Sequence, residues 1–99
     1  MGWTALHYAA AHGNVQILQV LLDAGANLNA KDISLQTPVQ RATFCNNLPI
    51  IEALVKRGAD TSVRDKYGLT LLHLVARDGH SELLKYWLKL TGALEEIDD

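Results

Sequence analysis

The sequence predicts an all-α solenoid, in which short helix pairs stack side by side. The first observation is a repeat period: Thr4, Thr37 and Thr70 each lie 33 positions apart, and most other positions recur at the same offset. The second is that the helices predicted within each repeat are too short to be stable alone in water. Each helix pair must therefore bury its apolar face on a neighbour, which is how a solenoid is built.

Each repeat opens with a predicted helix that follows a threonine, a favourable residue for the N-cap. The first of these helices is predicted over Ala5 to His12 and ends at Gly13, where the chain needs a left-handed backbone. The equivalent residues are Asn46 and Gly79, and asparagine adopts that backbone more readily than most residues. All three repeats therefore predict a first helix of similar length.

A second helix follows in each repeat, with apolar residues at helical spacing. In the first repeat these residues are Val15, Ile17, Leu18, Leu21 and Leu22. Gly25 and Gly58 end the second helix in the first two repeats, and an extended segment then leads to a tight turn. The turn tips are predicted near residues 32–36 and 65–69.

The first repeat has the most regular pattern. It contains Thr4-Ala5-Leu6-His7-x-Ala9-Ala10, then Gly13-Asn14-Val15, Leu21-Leu22 and Gly25-Ala26. This pattern resembles the ankyrin repeat, whose signature is Thr-Pro-Leu-His-x-Ala within a period of about 33 residues. The resemblance covers nearly the whole chain. It implies one domain over residues 1–99, an ankyrin-repeat solenoid with repeats at approximately 1–32, 33–65 and 66–99.

The repeats depart from the family pattern at a few places. Leu35 replaces the turn glycine, Gln40 replaces the histidine, and the segment 90–92 holds one extra residue. The first repeat starts without a preceding turn arm, so we expect its outer face to be apolar and the chain to be cut from a longer array. In the last repeat Ser81 replaces an apolar residue and the acidic segment 95–99 follows, which is typical of a terminal cap.

Composition argues against several classes of partner. The formal net charge is −2, from 9 basic and 11 acidic residues, without the clustered positive charge that nucleic acid or a membrane surface attracts. No apolar run approaches the roughly 20 residues that span a bilayer. The single cysteine, Cys45, fits a reducing compartment, so we expect an intracellular protein, cytoplasmic or nuclear. We also expect a monomer without cofactor or metal.

Histidines at two repeat positions could indicate metal binding or acid–base chemistry. His7 and His73 each lie three residues after a capping threonine, so the ring and the hydroxyl can meet across one helical turn. The resemblance to ankyrin repeats implies that this pairing is structural. We therefore expect the rings to be hydrogen-bonded to Thr4 and Thr70.

A second set of polar residues could indicate an enzyme. His12, Cys45 and Asp78 hold the same position in successive repeats, and such residue types occur in thiol triads and metal sites. Packed helix pairs lie roughly 8–10 Å apart, and His12 and Asp78 are two such steps apart. They therefore cannot converge on one reacting atom or one metal ion. We therefore predict that the protein is not an enzyme and that these are surface positions.

Solenoids present a concave surface built from equivalent positions of adjacent repeats, here the turn tips and the first helices. Aromatic residues and arginine most often anchor protein interfaces. The predicted partner-binding residues are Trp3, Tyr8, His12, Ile33, Gln36, Arg41, Phe44, Lys66, Tyr67, Leu69, Arg77 and Asp78, with Ala11, Ser34, Cys45 and Leu74 beside them. The sequence thus predicts a module that binds another protein. The alternative is a set of internal scaffold repeats that contacts no partner directly.

Two residues allow more than one interpretation. Trp3, just before the capping Thr4, is either a partner contact or an uncovered part of the core. The family resemblance implies that Asn29, eight residues after Leu21, can be hydroxylated by an asparaginyl hydroxylase. The alternative is that Asn29 only bonds the backbone of its own turn.

Overall fold

The structure is a computed structural model that describes residues 4–91. Trp3 and the acidic segment 95–99 therefore lie outside the described residues. The six helices of the described part form three successive pairs, which confirms the predicted all-α solenoid. They are α1 (Ala5–His12), α2 (Val15–Asp23), α3 (Pro38–Phe44), α4 (Leu48–Lys56), α5 (Leu71–Asp78) and α6 (Ser81–Thr91).

The inner helices α1, α3 and α5 each start at a capping threonine, as predicted. In α1, the Nδ1 atom of His7 accepts from the backbone N–H of Thr4 at 3.1 Å and lies 2.9 Å from its Oγ1. In α5 the corresponding distances between His73 and Thr70 are 3.3 and 2.7 Å. These reciprocal contacts are capping boxes, and the expected pairing of histidine and threonine is confirmed.

The turn tips lie at the predicted positions, and both are closed in the same way. The backbone N–H of Asp32 donates to the carbonyl of Gln36 at 2.9 Å, and that of Asp65 donates to the carbonyl of Leu69 at 3.0 Å. In each turn the aspartate Oδ1 also accepts from the N–H groups two and four residues later. An aspartate at this repeat position therefore fixes the shape of each tip.

One continuous core runs through the stack, since α3 packs against both α1 and α5 while α2 packs against α4. Its largest members, each no more than 2% exposed, are Leu6, Leu18, Val39, Ile50, Ile51, Leu54, Leu71, Val75 and Leu83. Trp87 is buried and Tyr86 is half-buried, as predicted from their repeat positions.

The outer face of the first helix pair is apolar, as expected. Ile17 and Val20 of α2 are 50% and 63% exposed, whereas Ile50 and Ala53, one repeat later, are 0% and 7% exposed. The first pair covers these residues of the second pair. The same side-chain positions are therefore core or surface according to whether a helix pair lies in front of them.

Candidate protein-binding surface

A groove with a volume of about 260 Å³ opens between the two turn tips, with α3 and α5 on either side. The tips supply residues from the extended arms, and the inner helices supply residues from their exposed faces. Six of the predicted partner-binding residues line this groove, namely Gln36, Arg41, Phe44, Lys66, Tyr67 and Arg77. The structure thus brings half of the predicted set to one place.

Two large aromatic side chains line the groove. Phe44, the last residue of α3, is 65% exposed, and Tyr67, at the second turn tip, is 74% exposed. The ammonium group of Lys66 lies 5.3 Å from the centre of the Tyr67 ring. Leu74 also lines the groove but is only 5% exposed, so its predicted place on the exposed surface is wrong.

Arg41, one of the predicted partner-binding residues, is half-buried and bonded to the first turn tip. Its Nε and Nη2 atoms donate to Oδ2 of Asp32 at 2.9 and 2.7 Å, and its side chain is 22% exposed. Burial alone would raise the pKa of Asp32, but the N–H groups of Gln36 and Ser34 and the Arg41 guanidinium outweigh it, and the pKa is lowered. Arg41 therefore bonds the first turn tip in addition to lining the groove.

Gln40 forms part of the groove wall and was not among the predicted site residues. It is 1% exposed, and its Oε1 accepts from the backbone N–H of Thr37 at 2.7 Å. Its Nε2 is buried without a hydrogen-bond partner among the described residues. In the first repeat, by contrast, Nε2 of His7 lies 2.8 Å from the carbonyl of Gln36. The signal for Gln40 in the sequence was its departure from the repeat histidine.

The first helix pair contributes a separate part of the concave surface. Tyr8 is 46% exposed, and its ring stacks on that of His12 with centroids 6.1 Å apart and planes inclined by 6°. Neither residue lines the groove between the tips. The third predicted contact of this repeat, Trp3, lies outside the described residues.

The remaining predicted residues flank the groove. Ile33 on the first turn tip is 77% exposed, whereas Leu69 on the second is half-buried. Asp78 follows the groove residue Arg77 directly and accepts from its Nε at 3.1 Å. The exposures of Tyr67, Phe44 and Ile33 meet the requirement for a contact surface, and their role in binding stays a prediction.

Asn29 is exposed on the arm that leads to the first turn tip. Its Oδ1 accepts from the backbone N–H of Asp60, one repeat later, at 2.9 Å, while its own N–H donates to Asn27 Oδ1 at 3.0 Å. The side chain therefore links two successive arms instead of bonding only its own turn.

The described residues contain no group of three or more His, Cys, Asp or Glu side chains placed to hold a metal ion.

Comparison with known families agrees with this architecture. Residues 1–65 match the family model "Ankyrin repeats (3 copies)", and residues 46–86 match "Ankyrin repeats (many copies)". The chain belongs to the ankyrin-repeat family. Ankyrin repeats are in general modules for protein–protein interaction, typically without enzymatic activity.

Individual relatives match over most of this chain. It is 32% identical to rat nuclear factor NF-kappa-B p105 subunit over 93% of its length, and 36% identical to mouse Rabankyrin-5 over 99%. It is 39% identical over 84% of its length to the sheep ankyrin repeat, SAM and basic leucine zipper domain-containing protein 1. The chain spans only 10%, 9% and 18% of these relatives, respectively.

None of the helices described in residues 4–91 combines the length and apolar character needed to cross a membrane.

Proposed function

We propose that the chain binds a partner protein through its concave surface, with the groove between the turn tips at the centre. The observation that carries this proposal is the presence of two exposed rings, Phe44 and Tyr67, beside one groove. Solvent exposure of large aromatic side chains gains nothing for folding, whereas aromatic anchors contribute strongly to interfaces. The proposed contact residues are Trp3, Tyr8, His12, Ile33, Gln36, Arg41, Phe44, Lys66, Tyr67, Leu69, Arg77 and Asp78.

Binding to this surface uses a rigid scaffold. The capping boxes and the closed turn tips hold the backbone of the groove in place before a partner arrives. Little conformational entropy is then lost on association.

The exposed free thiol of Cys45 suits a reducing compartment, so we place this activity inside the cell, in the cytoplasm or the nucleus. The protein acts as a monomeric domain over residues 1–99 without nucleic acid or cofactor.

The test compares Phe44→Ala with Lys56→Ala, a change on the exposed end of α4. Both variants should unfold within about 0.5 kcal/mol of the wild type, because both side chains are exposed. Wild type and variants are immobilised, and the proteins that each retains from a cell lysate are quantified by mass spectrometry. A specific partner should be lost with Phe44→Ala and kept with Lys56→Ala.

The opposite outcome would favour the scaffold alternative. If every retained protein binds Phe44→Ala and wild type equally, the groove is not a binding site and the repeats serve only to connect other parts of a protein. The control is placed on α4 because a polar residue of α2 such as Gln19 is less suitable. Gln19 Oε1 accepts from Arg57 Nη2 at 2.9 Å, so replacing it would disturb a contact between repeats.

We further propose that Asn29 is a site of asparaginyl hydroxylation, which its exposure on an extended arm supports. Incubation with an asparaginyl hydroxylase should add one oxygen atom to the peptide that contains Asn29, as measured by mass spectrometry. Asn29→Ala is the control. Oxygen incorporation elsewhere, or none at all, would argue against this site.

A further inference from the structure

We infer that the groove binds an extended partner segment that carries an acidic side chain next to an apolar one. This inference rests on the proposed function and adds the chemistry of the partner. It follows from three features of the groove: the polar groups without partners, the groups that are already paired, and the aromatic rings.

The polar groups without partners are hydrogen-bond donors. Gln40 Nε2 has no acceptor in the described part of the chain. Lys66 forms no ion pair with a described carboxylate, and its ammonium group lies over the Tyr67 ring. Arg77 bonds Asp78 through Nε, so its two terminal nitrogens remain available for a ligand. Two exposed cationic groups, the Lys66 ammonium and the terminal nitrogens of Arg77, therefore line one groove beside the buried amide of Gln40.

The acceptors around the groove, in contrast, are largely engaged. Asp65 Oδ1 accepts from the N–H groups of Tyr67 and Leu69 at 2.9 Å each. The side chain of Asp32 is 0% exposed and holds Arg41. Of the charged residues that line the groove, Lys66 and Arg77 are exposed, whereas Arg41 and Asp65 are half-buried. A cation from a partner would meet these two residues unfavourably, whereas a carboxylate offers two oxygens that accept from several donors at once.

The aromatic rings determine the second part of the segment. Phe44 and Tyr67 are the exposed apolar residues of the groove, which the buried Leu74 also lines. An apolar side chain of the partner loses water contact when it enters between such rings, which is favourable. An extended chain advances about 3.3 Å per residue, so a groove of this size accommodates the two side chains only if they are close in sequence.

The probe is a random dodecapeptide library displayed on phage and selected on the immobilised full chain. Selected peptides should contain Asp or Glu within two positions of an apolar residue more often than the starting library. A synthetic peptide with the consensus sequence is then compared with its Glu→Gln or Asp→Asn form by fluorescence anisotropy. The amide form should bind about tenfold more weakly, because a charge-assisted bond is lost.

Variants of the chain locate the effect. Arg77→Gln and Lys66→Gln should each weaken binding of the acidic peptide several-fold and leave binding of its amide form nearly unchanged. Phe44→Ala should weaken both peptides. Lys56→Gln is the matched control, since it removes one exposed cation from α4 and should not change the affinity for either peptide. Raising the salt concentration should weaken only the acidic peptide.

The results separate failure of this inference from failure of the proposed function. Neutral or basic peptides that bind the wild type and lose affinity with Phe44→Ala would overturn the acidic partner and keep the groove as a protein-binding site. Peptides that bind equally to Phe44→Ala would overturn both. A selection that enriches no sequence at all would also count against an extended segment as the ligand.

Discussion

The junction between the first and second helix pairs and the junction between the second and third use equivalent apolar positions but differ in their polar contacts. At the first junction, His7 Nε2 bonds the carbonyl of Gln36 at 2.8 Å. Thr4 N–H can only donate to His7 Nδ1, so Nε2 carries the proton and is the donor to this carbonyl. On the outer side, Arg57 donates to both Gln19 and Asp23 across the same junction.

Among residues 4–91, the second junction has no counterpart of these side-chain links. Gln40 replaces the histidine and leaves its Nε2 without a partner, and the residue equivalent to Arg57 is Leu90, which is 45% exposed. The groove with the two exposed rings spans this second junction. The repeat therefore specifies the core, while the polar substitutions determine which junction carries side-chain hydrogen bonds between repeats and which contains the groove.

The largest expected effect is a difference in stability between variants of the two turn tips. Asp32→Ala removes the acceptor for two backbone N–H groups and for two N–H groups of the half-buried Arg41. We expect a loss of roughly 3 kcal/mol in the free energy of unfolding. Asp65→Ala also removes the acceptor for two N–H groups, but Leu74 stands in place of the arginine, so the loss should be only about 1–2 kcal/mol. Urea denaturation of both variants gives the comparison, and equal losses would contradict it.

The loss of unfolding free energy caused by Asp32→Ala should depend on pH. Although burial opposes it, the bonds from Gln36 and Arg41 lower the pKa of Asp32 below its ordinary value of 3.8. A carboxyl group with a lowered pKa in the folded state stabilises the protein fully above the unfolded value, and this stabilisation is lost as the pH falls through the folded value. The difference in unfolding free energy between wild type and Asp32→Ala should therefore shrink below pH 3.8. A difference that stays constant would show that the charge of Asp32 is unimportant.

The second prediction compares how much His7 and His73 contribute to stability. His7 is 0% exposed and bonds both Thr4 and Gln36, so His7→Ala leaves buried groups unpaired and should cost about 2 kcal/mol. His73 is exposed and bonds only its own capping threonine in the described residues, so His73→Ala should cost less than about 1 kcal/mol. Thermal melts of the two variants measure the difference. A larger loss for His73 would mean that the capping bond matters more than the link between repeats.

The sequence was sufficient to predict the fold, because period, caps and helix ends are local features that recur three times. The starts of α1, α3 and α5 and both turn tips lie where the period places them. The site was predicted less completely. Contacts between residues nine or more positions apart, such as that of Arg41 with Asp32, depend on how the arm folds back over the helix. The exposure of Phe44 was predicted, but the burial of Leu74 was not, because it depends on the packing of α3 against α5.

The third prediction would make the second junction resemble the first. Gln40→His places a ring in the position of His7, where Nδ1 can accept from Thr37 N–H and Nε2 can reach the carbonyl of Leu69. That carbonyl accepts from Asp65 N–H, as the carbonyl of Gln36 accepts from Asp32 N–H, so the receiving geometry is equivalent. We expect a gain of about 1 kcal/mol, the usual net value of one hydrogen bond. Slower hydrogen exchange in α5 than in the wild type would show that the link has formed, and unchanged exchange would contradict it.

The smallest expected effect concerns the backbone of the two turn tips. Leu35 has φ of 63° in the first tip, where Gly68 has φ of 80° in the second. A left-handed backbone costs a residue with a side chain about 1–2 kcal/mol, and glycine avoids this cost but loses about 0.5–1 kcal/mol of entropy on folding. Leu35 is 57% exposed, so removing its side chain sacrifices little packing. Leu35→Gly should therefore stabilise the protein by about 0.5–1 kcal/mol.

The reciprocal change is the control for this last prediction. A Cβ atom at Gly68 would meet no heavy atom within 4 Å, so Gly68→Ala tests the cost of the backbone conformation without a clash. It should destabilise the second tip by about 1 kcal/mol. Urea denaturation measures both changes, and they should have opposite signs. If Leu35→Gly instead lowers stability, the leucine side chain stabilises the first tip by more than its backbone strain costs, and the tips differ in packing and not in backbone conformation alone.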